Sequence, residues 1–176
     1  MTVLGLLALL DAGQPAADLF QALRAHLAEA EPASRTDYQW RSSSARALAA
    51  EATMDARRAD AADARIAASL ADARLADLLA SRPHDWQAYE LRARLYQLGM
   101  RIDARSSPRG GDAGECRHRA DGLRPAVDSG QRGVVLETWL LASRCAGDSV
   151  DPSWQHRLSA GGYRLTASDN PSTTRR

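Results

Sequence analysis

The side chains able to do chemistry in this sequence are few and scattered. Four histidines, His26, His84, His118 and His156, stand singly, and Cys116 and Cys145 are the whole thiol complement. Cys116, His118, Cys145 and His156 have the ligand types of a Cys₂His₂ zinc site. Structural zinc, however, takes its ligands in close pairs with about two to four residues between them, and the nearest approach here has Arg117 alone in the gap. No metal or cofactor is therefore expected, and the cysteines read as small buried thiols or, outside the cytoplasm, one disulfide. Carboxylate pairs such as Glu29 with Glu31 or Asp60 with Asp63 have the types for acid–base work. On helices such groups are ordinarily solvated surface charges.

All 23 basic residues are arginine, against 22 acids, for a net charge of +1. The absence of lysine excludes a phosphate-binding P-loop, a protein-kinase site and Schiff-base chemistry, each of which needs an amine. No Gly-x-Ser-x-Gly elbow, His-Glu-x-x-His run or Gly-x-Gly-x-x-Gly loop occurs. The near-neutral balance carries no footprint for nucleic acid. A non-catalytic chain is the expectation. An arginine-only complement has two sources, GC-rich codon usage or guanidinium recognition of carboxylates and phosphates. Arg92, Arg94 and Arg101 form the candidate contact surface, suited to an acidic partner segment through paired charge-assisted bonds. The alternative for these three is a solvated helix face. Trp40, Trp86, Trp139 and Trp154 read either as peptide anchors or as inter-helix core, and core is the expectation.

The elements that must position these groups are helical. The apolar quota is filled by Ala and Leu, only Ile66 and Ile102 represent isoleucine, and aromatics make up 5%. The residue spacing predicts helices over 3–10, 16–29, 41–57, 61–80, 85–98, 133–146 and 152–161. Leu19, Phe20, Leu23 and Leu27 face one way on the second; Ile66, Leu70, Leu75, Leu78 and Leu79 form a stripe on the fourth. The serines at 42–44 are expected to cap the third. Turn signals at 11–15, 58–60, 98–100 and 145–148 fall about 40 to 47 residues apart, the period of helical-hairpin repeats. Pro32, Pro83 and Pro125 form an offset series, each ending a helical pattern. Residues 105–114 and the tail 166–176 read as unstructured. The apolar run 1–10 is too short for a membrane span, which needs about 20 residues, and it lacks the basic flank and cleavage site of a signal peptide.

Residues 83–99 resemble the first helix of a tetratricopeptide repeat. Tyr89, Ala93 and Tyr96 fill the aromatic, small and tyrosine places, Pro83 fills that of the closing proline, and Arg92 stands where leucine is usual. The resemblance implies that Ala93 admits a neighbouring helix while Tyr89, Tyr96, Gly99 and Trp139 pack between repeats. Leu123, Arg124 and Pro125, with residues 136–147, Trp154, Arg157, Leu158 and residues 161–164, resemble the end of the repeat regions that follow some bacterial serine/threonine kinase domains. Similar regions follow winged-helix domains in bacterial regulators. The resemblance implies a sensor or scaffold region and carries over no catalytic residue.

The expectation is an all-α chain. Antiparallel helical hairpins stack as a short tetratricopeptide-like solenoid over 1–165, with a disordered tail at 166–176. The expected role is binding a protein segment in its groove, with a small-molecule-sensing regulatory domain as the alternative. The expected compartment is the cytoplasm, or else the extracytoplasmic part of a larger signalling protein. Oligomeric state is left open.

Overall fold

The computed structural model describes Ala25 and residues 38–57, 60–106 and 112–162, and among them the regular structure is entirely α-helical. The helices are α1 (Tyr38–Arg57), α2 (Ala61–Ser81), α3 (Trp86–Ser106), α4 (Ala113–Asp128), α5 (Val134–Cys145) and α6 (Pro152–Ala160). The helix expected over 3–10, all but Ala25 of that expected over 16–29, the turn at 11–15, Pro32 and the tail at 166–176 lie outside the described residues. The chain divides into two compact units, residues 1–83 and 84–176. No helix among the described residues is long and apolar enough to cross a membrane.

In the first unit, α1 and α2 pair as a hairpin. The seam is made of small side chains: Ala45, Ala49 and Ala52 from α1 meet a face of Ala64, Ala67, Ala71, Leu75 and Leu78 from α2, with Trp40 closing the α1 end. Alanine suits the seam twice, as the strongest helix former and as a side chain that lets backbones approach. Asp60 starts α2 by accepting the Asp63 amide at 3.1 Å. The 42–44 serines do not cap α1, which begins at Tyr38. Ser44 is buried inside the helix and its hydroxyl donates back to the Arg41 carbonyl at 3.0 Å, the other outlet for a serine on a helix. The stripe expected on α2 divides: Leu75, Leu78 and Leu79 are buried, whereas Ile66 and Leu70 point outward.

The second unit packs α3, α4, α5 and α6 around Tyr89, Leu95, Tyr96, Leu123, Leu136 and Leu140. Asp85 caps α3 by accepting the Ala88 amide at 3.1 Å. The helix then passes through the turn expected at 98–100 and continues to Ser106, because Gly99 serves a close approach rather than a stop. Helix α4 was hidden by the Ser, Pro and Gly signals at its start and by Pro125. Asp112 nucleates it, accepting the Gly114 and Glu115 amides at 2.6 and 3.2 Å. Pro125 lies inside its last turns instead of ending it, and the Ser129 amide still closes on the Pro125 carbonyl at 3.0 Å. Helix α5 ends in a Schellman motif: Gly147, at φ +81°, lets the Asp148 amide reach Ser143 O at 2.9 Å. A disulfide joins Cys116 of α4 to Cys145 of α5, with Cα atoms 5.7 Å apart. Trp154 of α6 meets Trp139 of α5 edge-on, with ring centroids 5.3 Å apart.

Candidate interaction groove

The antiparallel hairpin brings the first turn of α1 beside the last turns of α2. Trp40 and Arg41 come from α1; Arg74, Asp77 and Ala80, three residues apart in turn, come from one side of α2. Together they line an open cavity of about 380 Å³. Arg41 Nη1 donates to the Asp77 carbonyl at 3.2 Å and approaches Ser81 Oγ at 3.4 Å. It thus serves a carbonyl and a hydroxyl in the last turns of α2, where a cation is favoured by the helix dipole. Arg74 lies over Trp40, its Cζ 4.9 Å from the ring centroid, and Arg82 lies over Tyr38 at 4.1 Å. Stacking on a ring takes the face of a guanidinium and restricts its plane. Asp77 adds an acceptor at the same mouth.

The three arginines expected to share a face do not share one. Arg92 is 8% exposed; its Nη1 donates to the Gly122 carbonyl at 3.2 Å and its guanidinium lies 5.4 Å from the Tyr96 ring centroid. Its charge is thus led to a carbonyl. Arg94 and Arg101 lie seven residues apart and are both exposed. Arg94 pairs with Glu90 at 2.6 Å, and Arg101 Nε donates to the Gln97 carbonyl at 3.3 Å. Tyr89, Ala93, Tyr96 and Trp139 are all buried, and Gly99 lies against the Arg119 guanidinium. Burial pushes the Tyr89 hydroxyl above its ordinary pKa, with Arg92 opposing.

The two cysteines considered as zinc ligands are bonded to each other, and His118 lies beside Tyr96, ring centroids 6.4 Å apart. Among the described residues, no group of three or more His, Cys, Asp or Glu side chains gathers in a way that could hold a metal ion.

Two features escaped the sequence reading. One is the groove itself, whose residues are 33 or more positions apart between the helices and carry no local signal. The other is a charge cluster under α3 and α4: Arg119 Nη2 donates to Asp103 at 2.9 Å and to Glu115 at 2.6 Å, with the Arg119 side chain 6% exposed. The Glu115–Arg119 spacing of four is a helix signal, legible only once α4 is recognised. Comparison with protein-family models, with curated proteins and with solved structures found no match for this chain.

Proposed function

We propose that this chain is a non-catalytic interaction module of tetratricopeptide-like type, and that its α1–α2 hairpin holds a segment of another protein. The observation that carries this reading is the pair Arg41 and Arg74 set around about 380 Å³ of open space beside Trp40. That volume suits one or two side chains of an extended segment. An acidic side chain offers the carboxylate that guanidinium forks take, and Asp77 offers an acceptor for a segment N–H. The burial of Tyr89, Ala93 and Tyr96 supports the repeat-like part of the reading. The disulfide supports the extracytoplasmic compartment over the cytoplasm, since such bonds persist in oxidising surroundings.

Selection of a displayed random-peptide library on the full chain tests this. Enriched peptides should carry Asp or Glu, and Arg74→Ala should weaken them about tenfold or more, the loss of one desolvated charge-assisted pair. Peptides that bind Arg74→Ala and Arg41→Ala unchanged overturn the reading. Small dicarboxylic acids that bind as tightly as the peptides would favour the sensing domain instead.

A further inference from the structure

The Cys116–Cys145 bond secures the part of α4 that has least else to secure it. Over 113–122, Ala113, Gly114, Glu115, Arg117, His118 and Asp121 are exposed. Cys116, Arg119 and Ala120 are the buried residues of that stretch. Apart from the Cys116 sulfur, its apolar anchorage is therefore the Ala120 methyl group. The next turns differ, since Leu123, Ala126 and Val127 are all enclosed.

Helical preference does not make up the difference. Gly114 and Gly122 bracket the stretch, each poorer in a helix than alanine. A helix shorter than about 12 residues is marginal in water by itself. Asp112 caps only the first amides. The ion pairs of Arg119 with Asp103 and Glu115 offset the burial of its charge and leave little surplus. Arg117 reaches the Ala146 carbonyl at 3.5 Å and exposed Asp148 at 3.7 Å, both long contacts. His118 adds a tilted contact with Tyr96, ring centroids 6.4 Å apart. Across the bond, α5 buries Val135, Leu136, Trp139, Leu140 and Ala142 and has its own anchorage. The two cysteines also differ in access. Cys116 is wholly enclosed, whereas Cys145, at the end of α5, is partly exposed.

We propose that this disulfide is a redox-operated clasp: a dithiol reductant opens it and releases residues 113–122, while the turns from Leu123 to Val127 stay packed. One thiolate of the reductant attacks the more accessible Cys145 Sγ, and Cys116 departs as a thiolate. The second thiol of the reductant then displaces Cys145 and closes the reductant's own disulfide. Two electrons pass to the protein, and each freed cysteine takes up one of the two protons that the reductant gives up. Release withdraws Arg119 from Asp103 and from the notch at Gly99, a part of α3 that the oxidised chain keeps covered. None of the residues involved belongs to the α1–α2 groove.

Hydrogen–deuterium exchange of the full chain, read by mass spectrometry with and without a dithiol, tests the clasp. Reduction should speed exchange over 113–122 by about tenfold or more and change that over 136–142 by less than about twofold. Reoxidation should restore the slow exchange. Cys116→Ser with Cys145→Ser should exchange like the reduced chain whether or not the dithiol is present. Asp121→Ala raises helix preference at an exposed position and should slow the reduced-state exchange about threefold. Unchanged exchange over 113–122 on reduction overturns the proposal. So does an equal loss of protection in α5, in the reduced chain or the double variant, which would make the bond a staple for the whole unit. A reduced state indifferent to Asp121→Ala overturns it as well.

Discussion

The guanidinium of Arg119 occupies the space that a side chain on Gly99 would need: a Cβ there would meet Nη2 at 3.0 Å. The exchange is reciprocal. Arg92, from the helix that carries Gly99, reaches Gly122 on the helix that carries Arg119, and a Cβ at Gly122 would meet Arg92 Cζ at 3.1 Å and Tyr96 Oη at 2.7 Å. Alanine in a helix is favoured over glycine by about 1 kcal/mol. At Gly122 the overlap with buried Tyr96 outweighs that gain, so Gly122→Ala should lower stability by about 1–2 kcal/mol in denaturant titration. A more stable variant would show that the notch is not needed.

Removing Asp103 leaves Arg119 buried with part of its compensation gone. Asp103→Ala should cost about 3 kcal/mol, far more than loss of an exposed pair, which is worth about 0–1 kcal/mol. Chemical denaturation of both variants, with Glu90→Ala as the exposed comparison, measures the difference.

The three arginines of α3 should separate by burial. Arg92→Ala forfeits a buried hydrogen bond and a ring contact and should cost about 2 kcal/mol. Arg94→Ala and Arg101→Ala should stay within about 0.5 kcal/mol of the native chain. Equal losses at all three positions would contradict this division.

The disulfide closes a loop across a sequence separation of 29, for which chain-entropy arguments give about 3–4 kcal/mol. A reductant should therefore lower the melting temperature of the native chain and leave that of a Cys116→Ser, Cys145→Ser variant unmoved. Ready alkylation of the native, unreduced chain would show that the bond is not formed.

Asp151 begins α6 by accepting the Ser153 amide at 2.8 Å, and this bond holds its carboxyl below the usual range. A depressed folded-state pKa gives stability that is present above the unfolded-state pKa and lost as pH falls through the folded value. Helix α6 should fray on acidification through and below the carboxylate range, seen as faster exchange of the Ser153 amide. Asp151→Asn keeps an acceptor without the titration and should remove that pH dependence.

The helical class was legible because composition and spacing agree over long stretches, and the starts expected at 61 and 152 are those of α2 and α6, which Asp60 and Asp151 cap. Gly99 misled because a glycine after an apolar helix reads as a stop, and only the position of Arg119 shows its other use. Helix α4 was missed because a local reading weighs Pro125 and the glycines above the tertiary packing that holds Cys116, Ala120, Leu123 and Val127 inward. The groove at Trp40 depends on the pairing of α1 with α2, which no single stretch of sequence records.

The alanine seam between α1 and α2 also bears on how this protein tolerates change. Alanine scanning is blind to much of the hairpin, since Ala45, Ala49, Ala52, Ala64, Ala67 and Ala71 are alanine already. Drift at Ala45, Ala64 or Ala71, all wholly enclosed, is confined to glycine, serine and alanine, because any bulkier residue wedges the helices apart. The hairpin is thus vulnerable to enlargement where most proteins are vulnerable to truncation.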